Sequence, residues 1–131
     1  MFLYRSRRQV AQALVEFTLV FPLVISLSLG VIQLVLYMHA RDVVTSSVQE
    51  AARLSAEDGR TLDEGYARAR ALVTAGLGTS AQPVSVDGNM DADVVHVRID
   101  AALQPILPLG TGLPIHAEAW VARERFRPGG R

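Results

Sequence analysis

The stretch from Phe17 to Met38, FTLVFPLVISLSLGVIQLVLYM, runs for 22 residues without a charged side chain. As an α-helix it would extend about 33 Å at ~1.5 Å per residue, enough to cross a hydrocarbon layer of ~30 Å. Pro22 and Gly30 lie inside it. Membrane helices tolerate both, because neighbouring helices or waters satisfy the freed carbonyls, and Pro22 is expected to bend or loosen the first turns. Arg5, Arg7 and Arg8 stand ahead of the run, whereas Arg41 is followed at once by Asp42 and the next basic residue is Arg53. That asymmetry predicts a single-pass anchor with a cytoplasmic N-terminus. A cleaved signal peptide also opens with basic residues and an apolar run. Its apolar region is shorter, ~7 to 15 residues, and Met38-His39-Ala40 is a poor small-x-small cleavage site.

The 131 residues allow one domain of ordinary size. The part beyond the anchor can bury only a small core. Thirteen basic residues, all Arg, balance thirteen acidic ones, so the broad basic footprint of a nucleic-acid-binding protein is absent. There is no cysteine, which removes disulfides, thiolate catalysis and cysteine-ligated metals and leaves the compartment open.

Glu16 does not fit a plain anchor, because an acid at the threshold of an apolar helix is costly unless paired, and intramembrane acids are usually functional. The order of a short basic leader, an apolar helix and this glutamate resembles the N-terminal segment of bacterial prepilins and pseudopilins. Gln12-Ala13-Leu14-Val15-Glu16-Phe17, with proline at position 22, resembles the opening of TadE-like proteins, minor pseudopilins of tight-adherence (Flp-type) pilus systems. Ala40-Arg41-Asp42 and Glu50-Ala51-Ala52-Arg53 are similar to the post-membrane helix of that family, so the resemblance covers about residues 8 to 55. It implies cleavage between Ala11 and Gln12 by a prepilin peptidase, although the family's leaders most often end in Gly, so an uncleaved anchor stays open. It also implies a role for Glu16 and the adjoining Phe17 in helix packing. The carboxylate of one subunit would neutralise the new ammonium on Gln12 of a neighbour, each charge making the other tolerable in an apolar setting. A glutamate lying among lipid headgroups is the plainer alternative.

Beyond Met38 the helical period continues. Ala40, Val43, Val44, Ser47, Val48, Ala51 and Leu54 recur at spacings of three and four, with Arg41, Asp42, Thr45, Gln49, Glu50 and Arg53 on other faces, and Asp58-Gly59 is a natural stop. Thr61-Leu62-Asp63-Glu64 is a capping box that opens a second helix. Tyr66, Ala69, Leu72 and Val73 form its apolar face, and Gly76 and Gly78 end it. After Pro83 the period becomes alternating: Val84 and Val86, a turn at Asp87-Gly88-Asn89, then Val95, Val97, Ile99, Ala101 and Leu103 against His96, Arg98 and Asp100. Pro105, Pro108, Gly110, Gly112 and Pro114 mark a loop. Ile115, Ala117, Ala119 and Val121 then alternate with His116, Glu118 and Trp120, and Arg123 to Arg131 reads as a charged, frayed end.

His96, Arg98 and Asp100 share one side of a strand, a spacing that suits a ligand or catalytic pair and equally suits the wet face of a half-buried strand; we prefer the second. His116-Ala117-Glu118 matches the H-x-E of zinc deaminases only superficially, since that chemistry also requires a P-C-x-x-C partner. Leu109-Gly110-Thr111-Gly112 lacks the third glycine and the helix of a dinucleotide loop. His39 reads as an interfacial residue. Trp120 with Arg123 and Arg125 suits either a contact patch or a cover over one end of the core.

The sequence therefore predicts an α+β, pilin-like fold: a long N-terminal transmembrane and stalk helix, a second short helix and a small antiparallel sheet of about three strands. The expected organisation is a basic leader at 1–11, a transmembrane helix at 12–38, an extracytoplasmic continuation at 39–58 and a small α+β domain at 59–131. The expected role is non-enzymatic, without cofactor, metal or nucleic acid. The chain would serve pilus assembly in the bacterial inner membrane, packing on other pilin-like subunits through its helix, where Ala13, Ser26, Ser28 and Gly30 allow close approach. Its C-terminal domain would be periplasmic or extracellular, and its partners the membrane, the pilus assembly machinery and a prepilin peptidase. The alternative is an uncleaved, membrane-tethered binding module.

Overall fold

The computed structural model describes residues 2–106 and 110–123, with side chains from residue 9 onward. The elements in order are helix α1 (Phe2–Ala56), helix α2 (Leu62–Leu77), a 3₁₀ turn (Gly78–Ser80) and strands β1 (Ala81–Met90), β2 (Val94–Leu103) and β3 (Leu113–Ala122). Two helices and one three-stranded antiparallel sheet make the α+β fold expected from the sequence. The chain divides into two compact units, Met1–Val35 and Leu36–Arg131.

The described residues of the first unit are helix alone. The helical run passes through Pro22 unbroken. Proline has no N–H to offer the carbonyl four residues back, so that of Thr18 loses its helical donor. Hydroxyls that would otherwise need water are satisfied inside the helix: Thr18 Oγ1 donates to the Leu14 carbonyl at 2.7 Å and Ser28 Oγ to that of Val24 at 2.8 Å. The large apolar side chains from Val10 to Val35 stand exposed, with Leu29 half-buried.

The second unit contains the core. In its part of α1, Ala40, Val44, Ser47, Val48 and Ala51 are buried, Val43 and Leu54 half-buried, and Arg41, Asp42, Gln49, Glu50 and Arg53 exposed, as the helical period predicts. Ala52, Ser55 and Ala56 are buried as well and widen the stripe. The helix stops at Ala56, and Gly59, at φ 79°, takes the left-handed conformation that lets the chain reverse. Thr61 caps α2, its hydroxyl accepting from the Glu64 amide at 3.4 Å. The other half of the expected capping box differs: the Glu64 carboxylate pairs with Arg60 at 3.2 Å. Gly76 lies inside α2 rather than ending it, and Gly78 is the cap residue.

Glycine has a packing role in α2. A Cβ on Gly65 would lie 2.0 Å from Ser55 Oγ and 2.9 Å from the Ala51 carbonyl oxygen, and one on Gly76 would lie 2.6 Å from Val43 Cγ1. The two helices thus approach to backbone contact where α1 presents Ala51 and Ser55.

In the sheet β2 is central, and its Val95, Val97, Ile99, Ala101 and Leu103 are all buried. From β1 Val86 is buried opposite Ile99, and from β3 Ile115 and Ala119 complete the layer. The β1–β2 turn is not at Asp87-Gly88-Asn89. Those residues pair with Arg98, Val97 and His96, β1 runs on to Met90, and the reversal falls at Asp91–Val94, closed by the Asp91 amide on the Val94 carbonyl at 2.9 Å. The longer ladder keeps Val86 on the buried face, which a tighter local turn signal does not specify. β1 also begins at Ala81, ahead of Pro83, with a register irregularity between Ala81 and Val84. Two hydroxyls tie helices to strand backbone: Tyr37 donates to the Pro114 carbonyl at 3.4 Å and Tyr66 to that of Gly88 at 3.0 Å. Burial, helped by Asp87 and Asp63, raises the pKa of Tyr66, which keeps it a donor.

Candidate functional site

Two places hold the residues singled out from the sequence. Ala11, Gln12, Glu16 and Phe17 all lie on α1 with exposed side chains. Gln12 and Glu16 are four residues apart, hence on one face of the helix. Among the described residues Glu16 has no ion-pair partner. Phe17 stacks on Phe21 one turn along, ring centroids 5.2 Å apart. The segment therefore presents one carboxylate at the head of an apolar surface. Two opposite unit charges ~4 Å apart attract by about 1 kcal/mol in water and about 4 kcal/mol at an effective dielectric of ~20, so a cation meeting Glu16 away from water would bind it far better than one in solution.

The second place is the outer face of the sheet. Asp100 there receives both Arg98 nitrogens, at 2.8 and 2.9 Å, and His116 Nδ1 at 2.5 Å. The hydrogen bond from Arg98 holds the Asp100 carboxyl below its usual range against a smaller opposing effect of burial, and His116 adds to the lowering. The same pair raises Arg98. His96 meets Glu118 at 3.3 Å and stacks on Trp120, ring centroids 3.9 Å apart. The wet-face reading of His96, Arg98 and Asp100 fits this arrangement, in which each charged group has a neighbour of opposite sign. His116 and Glu118, two residues apart, turn to different partners and share no ligand position. Trp120 is 64% exposed, so it does not cover the core. Its indole lies over an imidazole on the solvent side. Arg125 and Leu109 lie outside the described residues, as does the tail from 124 onward; Gly110 to Gly112 form an irregular approach to β3.

His39 is exposed on α1. Neighbouring residues that the sequence reading passed over are Tyr37, which joins the helix to β3, and Arg41, which lines a small cleft with it. A tyrosine at the end of an apolar run with an arginine one turn later was the available signal, being the residue pair expected at a membrane interface.

Comparison with known protein families bears out the resemblance read from Gln12 to Phe17 and from Ala40 to Arg53. Residues 11–53 match the family model described as TadE-like protein, 43 residues of the 131. The match stops before α2, so the sheet lies outside it. No curated protein and no solved structure shows a significant match to the chain.

Proposed function

We propose that this chain, in which residues 11–53 are TadE-like and one helix is long and apolar enough to cross a membrane, is a Tad pilus-associated minor pseudopilin: a non-enzymatic component that packs its N-terminal helix on other pilin-like subunits during Flp/Tad pilus biogenesis. A prepilin peptidase would cut between Ala11 and Gln12. The ammonium created on Gln12 and the Glu16 carboxylate would then pair between neighbouring subunits, with Phe17 beside them on the apolar helix. The observation that carries the reading is Glu16 itself, a carboxylate with no ionic partner among the described residues, at the head of an exposed apolar helix and inside the TadE-like segment. Such a charge is costly in lipid when alone and tolerable when paired. In this proposal the chain lies in the bacterial inner membrane with its N-terminus cytoplasmic and the unit Leu36–Arg131 on the periplasmic or extracellular side.

A permanently tethered binding module is the second reading. It is favoured by Ala11, where TadE-like leaders most often carry glycine, and by the helix that runs through the leader without a break.

The intact mass and N-terminal sequence of the protein from membranes of its host separate the two. A chain beginning at Gln12 is the expected result. A chain retaining Arg5, Arg7 and Arg8 would leave the tethered module as the better account. Glu16→Gln should then block co-purification with pilin-like subunits while leaving the amount of membrane-bound protein unchanged.

A further inference from the structure

Between α1 and β3 the second unit has a cleft of about 250 Å³ lined by Tyr37, Arg41, Pro114, Ile115 and His116. Tyr37 and Arg41 are one helical turn apart and therefore share a face. The Tyr37 hydroxyl is fixed on the Pro114 carbonyl, which leaves its ring as a wall of the cleft. Arg41 is exposed and has no ion-pair partner among the described residues; Asp42, adjacent in sequence, points from a different face of the helix. His116 gives its Nδ1–H to the Asp100 carboxylate, so in the neutral ring Nε2 is an acceptor and adds no donor for an anion. The Asp100 charge is in turn balanced by Arg98. The uncompensated charge lining the cleft is thus positive, and it comes from a guanidinium, the group best shaped to hold a phosphate through two parallel hydrogen bonds.

The position along the chain identifies the source of the anion. Arg41 follows Met38, the last residue of the apolar run, by three residues, about 4.5 Å of helical rise. This is the depth at which tyrosine and arginine side chains meet phospholipid headgroups. We propose that the cleft holds the phosphate of an anionic phospholipid in the leaflet where the apolar helix emerges. Arg41 supplies the charge, and the Tyr37 ring the wall against which the headgroup rests. Because β3 provides part of the cleft, the lipid would bind the folded second unit as well as the helix. The proposal rests on reading residues 17–38 as a membrane span and does not depend on whether the leader is cleaved.

The test uses the full chain in detergent, with retained phosphatidylglycerol and phosphatidylcholine counted by native mass spectrometry, and inorganic phosphate as a separate arm. Phosphatidylglycerol should be retained in preference to phosphatidylcholine, and Arg41→Gln should lower its retention about five-fold, the equivalent of ~1 kcal/mol for one basic residue near an anionic surface. Arg41→Lys should keep most of the binding, and Arg53→Gln, an exposed arginine further along the same helix, should keep all of it. Equal retention of the two lipids, or equal retention by Arg41→Gln and the parent, overturns the proposal. Phosphate that binds while phosphatidylglycerol does not would make this a site for a free anion and overturns the lipid assignment. A chain that fails to float with vesicles of either lipid would refute the membrane span, a failure distinct from loss of the phosphatidylglycerol preference.

Discussion

The two parts of α1 share one backbone geometry and have opposite surfaces. At Leu19, Val20 and Phe21, three successive positions spread over about 200° of the helix circumference, the side chains are 73%, 53% and 51% exposed. From Ala40 to Ala56 the apolar residues are mostly smaller and confined to one stripe, fully or nearly fully buried except for the half-buried Val43 and Leu54. Leaving a large aliphatic side chain in water rather than burying it costs about 1.5–3 kcal/mol, so the first unit needs lipid or other helices around it, whereas the second supplies its own cover. The distribution of apolar residues around a helix thus reports its solvent. An all-round pattern belongs to a surface completed from outside the chain, and a stripe belongs to a core.

The contrast is broken most severely by a charge in the core. Val48→Arg would place a guanidinium at a position with no solvent exposure, at a cost of about 3–5 kcal/mol for an unpaired buried charge. That is enough to unfold a unit of this size. Rapid proteolysis of the region beyond residue 36 is expected, with flotation on vesicles retained. The reciprocal change is Leu23→Arg, which costs about 2.5–3.5 kcal/mol at the centre of a membrane helix. It should reduce membrane insertion and leave the protease resistance of the second unit intact. If either variant moves both readouts, the two units are not the independent bodies that their surfaces imply.

A gentler test compares two glycines. Gly65→Ala drives a Cβ to 2.0 Å from Ser55 Oγ and 2.9 Å from the Ala51 carbonyl oxygen, and should destabilise the second unit by about 1–3 kcal/mol despite the better helix propensity of alanine. Gly30→Ala meets nothing within 4 Å, so it should be neutral or gain up to ~1 kcal/mol. Thermal melts of the full chain in detergent, followed by circular dichroism, read both.

These glycines also mark where sequence reading stops. The stripe from Ala40 to Leu54 and the alternation in β2 and β3 were legible because burial follows the period of the element itself. Glu16 stands out for another reason, that a lone acid beside an apolar run contradicts its surroundings. Gly65 was not legible, since its reason for being glycine is Ser55 on another helix. Asp87-Gly88-Asn89 misled for a similar cause. Locally it is a turn sequence, but Gly88 is needed in the ladder, where a Cβ would lie 2.2 Å from the His96 carbonyl oxygen. The cleft at Arg41 depends on Tyr37 meeting Pro114 across 77 positions, a contact that no local pattern encodes.

The smallest expected effect concerns the outer face of the sheet, which meets water and is organised by charge. Asp100 has a lowered pKa, chiefly through Arg98, so its contribution to stability is present above the ordinary carboxylate value of ~3.9 and is lost as pH falls through its own lower value. Arg98 is half exposed, and ion pairs in such positions contribute about 0–1 kcal/mol. The melting temperature of Asp100→Asn should therefore lie slightly below that of the parent at pH 7, and the gap should narrow as pH falls below the ordinary carboxylate value of ~3.9 and the parent's carboxylate takes up its proton. The remaining carboxylates titrate in both proteins and cancel in the difference. A gap that stays constant as the parent's Asp100 carboxylate is protonated would mean that the Arg98–Asp100–His116 cluster contributes through packing or hydrogen bonding independent of the carboxylate charge. In that case the outer face would resemble the core beneath it more than its exposure suggests.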